Sequence, residues 1–189
     1  GNLGYKIKLL SISEIKNNQL MERVHPCLIS DDSNLASING VLNAIIVDGH
    51  LIGRSILQGE GAGPGPTTSA LISDLRSVLR GNIKYPFGVS SALRRDVKNF
   101  DILKHSCSSY IRINVRDLPG VLSSITNSFL KNKISIKNLI QTPDKKKKTS
   151  SITIITHKNF EKNFNTLLIS LKRNKFVLNK PTFIRIEKI

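Results

Sequence analysis

The sequence predicts an α/β chain of the α+β type that closes on a ferredoxin-like βαββαβ unit. Three observations carry that reading. Alternating apolar residues mark paired strands near the N-terminus, and a run of glycines and prolines feeds an amphipathic helix near residue 70. The last 81 residues then step through strand, helix, strand, strand, helix and strand.

The elements come in chain order. Tyr5-Lys-Ile-Lys-Leu-Leu-Ser-Ile-Ser reads as a strand, and so does Met21-Glu-Arg-Val-His-Pro-Cys-Leu-Ile. Lys16-Asn-Asn-Gln between them is a hairpin-like break. Asp31-Asp-Ser-Asn is a turn cluster able to cap the next element. Leu35, Ile38, Val41 and Leu42 recur at helical spacing and predict a helix there. Asn43 to Val47 reads as a strand entering a turn at Asp48-Gly49, and Ile52 to Leu57 as its successor. Ala70, Leu71, Asp74, Leu75, Val78 and Leu79 step along one helix that Gly81 ends. Residues 82–108, with Pro86, Gly88 and Arg94-Arg95, lack strong periodicity and read as a connection with room for one short helix.

In the final 81 residues, strands are expected at Tyr110–Val115, Ile134–Gln141, Ser151–Thr156 and Pro181–Glu187. Helices carry Val121, Leu122, Ile125, Phe129 and Leu130, and then Phe160 to Leu171. The Asp144-Lys-Lys-Lys-Lys run reads as a solvated hairpin tip.

Composition narrows the class. A 39% hydrophobic share can fill a core, and no apolar run approaches the roughly 20 residues of a membrane helix. Residue 1 is Gly and no basic, apolar leader comes after it, so no targeting signal is expected. Cys27 and Cys107 stand far apart without a CxxC or a His cluster, which excludes a disulfide scaffold and a zinc ribbon and suits a reducing compartment. Both read as small apolar fillers. His25, before a proline in a strand, reads as a hydrogen-bonded structural residue.

The net charge of +16 is uneven: +1 over residues 1–84 and +15 over 85–189. A basic half can face nucleic acid. With 25 Ile, 19 Lys and 17 Asn against 5 Ala, however, codon-driven drift explains the lysines, which are spread through every element. An RNA reader of ferredoxin-like fold stacks bases on aromatics of its two central strands. Here those strands carry only the terminal Tyr110, so no nucleic-acid partner is expected.

Gly59, Gly61, Gly63 and Gly65, then Pro66 and the hydroxyls of Thr67, Thr68 and Ser69, run straight into a helix. Glycines admit close backbone approach, and free N–H groups at a helix start favour anionic or carbonyl groups. The spacing is neither GxGxxG nor GxxxxGK[ST], so a ligand-contacting loop and a plain turn remain equal readings of the spacing alone.

Four blocks stand in one order within about 65 residues: Gly4-Tyr-Lys-Ile-Lys-Leu-Leu, Val24-His-Pro-Cys-Leu-Ile, Leu35-Ala-Ser-Ile-Asn-Gly-Val-Leu-Asn-Ala and Gly59-Glu-Gly-Ala-Gly-Pro-Gly-Pro-Thr. They resemble the C-terminal half of the bacterial homoserine dehydrogenase catalytic region. Residues 109–189, with Arg116-Asp-Leu-Pro-Gly-Val-Leu, resemble the ACT regulatory module of many bacterial members. The resemblance implies a partial catalytic domain over 1–84, a linker over 85–108 and an ACT domain over 109–189.

It also implies an NAD(P)-dependent oxidoreductase that interconverts L-homoserine and aspartate 4-semialdehyde on the route to threonine and methionine. A cytoplasmic homo-oligomer, joined through both domains, is expected. In the family, the Rossmann domain, the acidic substrate residues and the catalytic lysine all precede the Gly-Tyr-x-Ile-Lys block. No catalytic residue is therefore assigned here, and Lys6 and Lys8 sit in a different motif. This chain alone is expected to be inactive, and the choice between NADP and NAD is not written in it.

The family's cofactor-contacting glycine matches Gly63, with Gly61 and Gly59 shaping the turn. The pattern departs at Thr68, where Ala is usual, and Pro64 is inserted; Thr67 is expected to cap the helix. In the ACT module the matching effector region is Asp117, Pro119 and Gly120. Pro119 would preset the first helical turn and Gly120 would leave room for an amino acid such as threonine. The chief alternative is a stand-alone amino-acid sensor. No metal site and no membrane partner are expected.

Overall fold

Asn17 and Asn18 both adopt left-handed backbone (φ 51° and 57°), which a two-residue hairpin turn with the strands' own twist requires. The turn joins strand β1 (Tyr5–Lys16) to β2 (Gln19–Ser30), antiparallel with Lys16 opposite Gln19. The computed structural model describes residues 3–82, 88–94, 96–144 and 146–189. Residues 83–87 and Arg95 of the expected connection, and Lys145 of the lysine turn, lie outside the described residues.

The helix expected from Leu35 does not form. Only a single 3-10 turn, Asn34–Ser37, appears, and the chain then enters β3 (Leu42–Gly49). Apolar spacing over four positions cannot favour a helix when Gly40, at φ 65°, and a β-rich run come directly after it. Strand β4 (Gly53–Glu60) closes on β3 as a separate two-stranded sheet, where Arg54 forks onto Asp48 at 2.8 and 2.9 Å.

Helix α1 (Pro64–Leu79) comes next. It ends as expected: Gly81 takes φ 72°, and its N–H and that of Asn82 return to the carbonyls of Val78 and Ser77. None of its residues is buried, and Leu71, Leu75 and Leu79 are all more than half exposed.

A short strand β5 (Lys98–Asn99) precedes the second sheet-forming stretch. Strand β6 (Ser106–Arg116) alternates, with Cys107, Ser109, Ile111, Ile113 and Val115 buried on one face. Then come α2 (Val121–Lys131), β7 (Ile136–Asp144), β8 (Thr149–Thr156), the two-residue β9 (Asn159–Phe160), α3 (Glu161–Lys172) and β10 (Thr182–Ile186). The order β10-β6-β8-β7, antiparallel throughout, is the ferredoxin-like sheet expected from the sequence. Ile111, Ile113, Ile152 and Ile154 pack under Ile125, Phe129, Phe164 and Leu167 of the two helices. Phe164 and Phe183 tilt together at 5.4 Å between ring centres.

The N-terminal hairpin adds to this sheet: β2 runs parallel to β10, with Arg185 opposite Cys27 and Ile186 opposite Leu28. Leu28, Ile155 and Ile186 form a second, smaller apolar cluster, with Tyr5, Tyr110 and Ile184 against it. Strand β10, the outer strand of that four-strand order, is thus covered by the chain itself. Compact units accordingly divide as Gly1–Ser30 with Lys98–Ile189, and Asp31–Val97. That division follows hydrogen-bonded sheets, whereas the boundaries at 84/85 and 108/109 follow sequence similarity. Among the described residues, no helix is long and apolar enough to cross a membrane.

Candidate functional site

The glycine loop lies in the Asp31–Val97 unit, between β4 and α1. Its glycines differ in what they require. Gly59 is an ordinary strand residue paired with Asn43, with open space where a Cβ would stand, so its backbone does not shape a turn. Gly61 donates its N–H to the Val41 carbonyl at 3.2 Å, and a Cβ there would fall on the Asn43 side chain. Gly63 has φ 120° and ψ 160°, a region essentially closed to residues with a Cβ.

Gly63, not Thr67, is the N-cap of α1; the Thr67 N–H donates to the Gly63 carbonyl at 3.2 Å, inside the first turn. Pro64 and Pro66 preset helical φ and start the helix four residues earlier than expected, and they remove two of the N–H groups a capping side chain would serve. A Cβ built on Gly63 would meet only Pro66 Cδ, at 3.7 Å. The loop therefore offers bare backbone to an approaching group, which fits a nicotinamide ring. Beside it a groove of about 320 Å³ is lined by Glu60, Gly61, Pro66, Thr67 and Leu71.

The second set, Asp117, Pro119 and Gly120, lies in the other unit, where β6 turns into α2. Gly120 is the N-cap in left-handed backbone (φ 84°), so Pro119 stands just outside the helix instead of in its first turn. A Cβ on Gly120 would touch nothing. The Asp117 N–H donates to the Lys148 carbonyl at 3.0 Å, tying the turn to the β7–β8 connection. A shallow groove of about 460 Å³ opens there, lined by Arg116, Asp117, Leu118 and Lys148.

A third constellation was not legible in the sequence: a string of charges under the β2–β10 junction. Arg23 holds Glu187 through Nε and Nη2, at 3.2 and 3.1 Å, and Glu14 through Nη1 at 3.2 Å. His25 Nε2 stands 3.3 Å from Glu187 Oε1. Arg185 forks onto buried Glu161 through Nε and through Nη2 at 3.1 Å, and the Cys107 thiol also donates to Glu161, at 3.4 Å. His25 is buried beside Glu187, but its Nε2 makes no hydrogen bond there, so the hydrogen-bonded role expected from its strand position is not seen at that nitrogen. Arg23 and Glu187 are 164 residues apart, and no local pattern announces such a pair. Both cysteines are buried fillers, as expected: burial first, then Glu161, pushes Cys107 up to about 12, and burial pushes Cys27 up to about 11.

These groups set an acid limit on stability. Burial, then nearby arginine charge, holds His25 and His105 below their ordinary value of 6.5 despite Glu187. The unfolded chain therefore binds protons that the folded chain refuses, and stability falls as pH drops below about 6.5. Burial tends to raise the Glu187 carboxyl, but Arg23 and the two histidines outweigh it and hold it below 4.5. Its stabilisation, present above that value, is lost as pH falls further. The thermal midpoint is expected to fall as pH drops from 7 to 5.5. Calorimetric melts across that range check it, and a flat profile would mean that both histidines titrate normally.

Comparison with known proteins accords with the geometry. Residues 1–75 match the homoserine dehydrogenase family model, and residues 109–174 match the ACT domain. The homoserine dehydrogenase of Helicobacter pylori is 34% identical over 97% of this chain and 43% of its own length. That of Pseudomonas aeruginosa is 31% identical over 99% of the chain and 45% of its length. The crystal structure of a homoserine dehydrogenase from Thiobacillus denitrificans superposes with a TM-score of 0.85 at 32% identity, over 99% of this chain and 43% of that one. The chain spans less than half the length of the relatives it matches. Two family matches in this order, with a superposition over 99% of the chain, place the chain in the homoserine dehydrogenase family, as its C-terminal portion with an ACT domain.

Proposed function

We propose that the chain is the cofactor-loop and regulatory part of an NAD(P)-dependent homoserine dehydrogenase, working in threonine and methionine synthesis in the cytoplasm as a homo-oligomer. The observation that carries this reading is Gly63. It lies in the segment similar to the dehydrogenase family and holds a backbone conformation that only glycine takes readily, at the start of α1. When bound, the nicotinamide accepts or gives the hydride, and Gly63 supplies close backbone packing against it, with Gly61 holding the loop to Val41 and Gly59 leading into it.

The exposed apolar residues Leu71, Leu75 and Leu79 of α1 support the same reading, since a helix face of this kind is normally covered by a packing partner. In the relatives, more than half the length lies outside the matched region.

The ACT domain binds an amino acid, threonine being the expected effector, in the groove beside Asp117, Pro119 and Gly120. Arg116 and Lys148 offer cationic heads to a carboxylate, and the N-terminus of α2 adds the N–H groups of its first turn. With β10 covered, a second copy is expected to pair along the free edge of β7.

One experiment tests both halves. The purified chain is expected to show no homoserine oxidation with NAD or NADP, because hydride transfer needs cofactor and substrate held together. Calorimetry is expected to detect threonine, in preference to methionine, isoleucine and lysine, with binding weakened at least about tenfold in Gly120→Asp. Turnover by the chain alone would refute the first half. Absence of binding to any of the four, or binding unchanged by the substitution, would refute the second.

A further inference from the structure

His105 sits immediately before β6, at the end of a 3-10 turn (Ile102–Lys104) whose start is fixed by the Asp101 carboxylate accepting from the Leu103 N–H at 3.0 Å. Its backbone is held on both sides: its N–H donates to Ile102, and its carbonyl accepts from the Glu161 N–H, each at 2.9 Å. Its side chain is 6% exposed, and neither ring nitrogen has a hydrogen-bond partner. An imidazole always has at least one N–H to donate, and leaving it unmade in the interior costs about 1–3 kcal/mol.

His105 is one of the residues around a cavity of about 280 Å³ at the start of β6. Lys16, Arg23, Lys137, Lys158 and Lys188 stand around the same cavity. Against these five cations stand two carboxylates, Glu14 and Glu187, and both are already held by Arg23. Lys16 lies over the Phe100 ring at 5.6 Å. Lys137, Lys158 and Lys188 have no ion pair among the described residues. They come from three different strands and connections, so sheet pairing, not sequence, gathers them. Unpaired lysines converging on a polar cavity raise its potential and favour an anion within it.

We propose that this cavity binds a small dianion, a phosphate or dicarboxylate group, through Lys137, Lys158 and Lys188, with the buried His105 ring close behind its lining. Its volume suits a ligand of a few heavy atoms and excludes a dinucleotide. The site lies at the opposite end of β6 from the Asp117–Gly120 turn. Seven strand residues, Ser109 to Val115, separate the two linings, about 25 Å, so it stands independently of the effector reading.

The test titrates inorganic phosphate, glycerol phosphate and succinate into the whole chain at fixed ionic strength, with calorimetry and the His105 ring-nitrogen NMR signals as readouts. Saturable one-to-one binding by at least one probe, with a shift of the His105 signals, is expected; which probe binds assigns phosphate or carboxylate. Lys137→Ala with Lys158→Ala should weaken binding about tenfold or more, while Lys146→Ala with Lys147→Ala, which removes the same charge from the β7–β8 turn, should leave it unchanged. Melting curves for both double variants confirm that they fold. Absence of saturable binding, His105 signals that stay still, or equal losses in the two double variants would overturn the proposal, the last by reducing it to general charge attraction.

Discussion

Replacing Gly63 by valine in a full-length dehydrogenase carrying this segment is expected to abolish turnover, or to raise the cofactor KM at least about tenfold. The cause is backbone, not crowding. A Cβ there would have only Pro66 Cδ nearby, at an ordinary contact distance, so the surrounding atoms would accept the side chain. The dihedral pair φ 120°, ψ 160° would not: a β-branched residue forced into it costs about 1–3 kcal/mol, and the loop relieves that strain by moving. Movement of the N-cap carries the whole start of α1 with it. Gly65→Ala is the matched control. Its φ is not positive and the space beside it is open, so kinetics should stay within about twofold. Steady-state kinetics for the two variants decide the matter. Equal, wild-type behaviour would reduce Gly63 to an ordinary turn residue.

Glu161→Ala is expected to lose about 3 kcal/mol of stability in the unit that holds the sheet, near the lower end for breaking a buried ion pair. Glu161 is 3% exposed, and it receives both arms of Arg185 and the Cys107 thiol. Its loss leaves the half-buried Arg185 guanidinium over the Phe183 ring without its main partner. The double variant Glu161→Leu with Arg185→Met should recover much of the loss, because the cost comes from the charge left behind. Denaturant melts of the two proteins measure it. A single variant as stable as the parent would mean that water reaches the pair and already screens it.

These two sites show what the linear chain can and cannot express. Gly63 was singled out by resemblance to the dehydrogenase family, while the spacing of the glycines alone left a ligand loop and a plain turn equal; its place before Pro64 at the start of α1 belongs to the fold. The cap itself was misplaced to Thr67, because proline's effect on the orphan N–H groups outweighs a hydroxyl's preference. Period-two alternation in β6 and the apolar stripes of α2 and α3 determined the four-stranded sheet and the face its helices cover, since each depends on residues within one element. Leu35 to Leu42 carried the same kind of signal over too few turns, and Gly40 overruled it.

What only the tertiary structure decided is which elements meet. The parallel contact of β2 with β10 rests on Arg185 opposite Cys27 and Ile186 opposite Leu28, partners more than 150 residues apart. Nothing in either strand's own pattern specifies that neighbour, because alternation states which face is buried and not which edge is paired. Glu161, Arg185, Glu187, Arg23 and His105 each read as an ordinary polar residue in sequence. They became buried charges and an unpartnered imidazole only when the sheet brought β2, β6, β10 and the start of α3 together. Periodicity acts within an element, whereas charge pairing acts across space, and only the folded chain sets those distances.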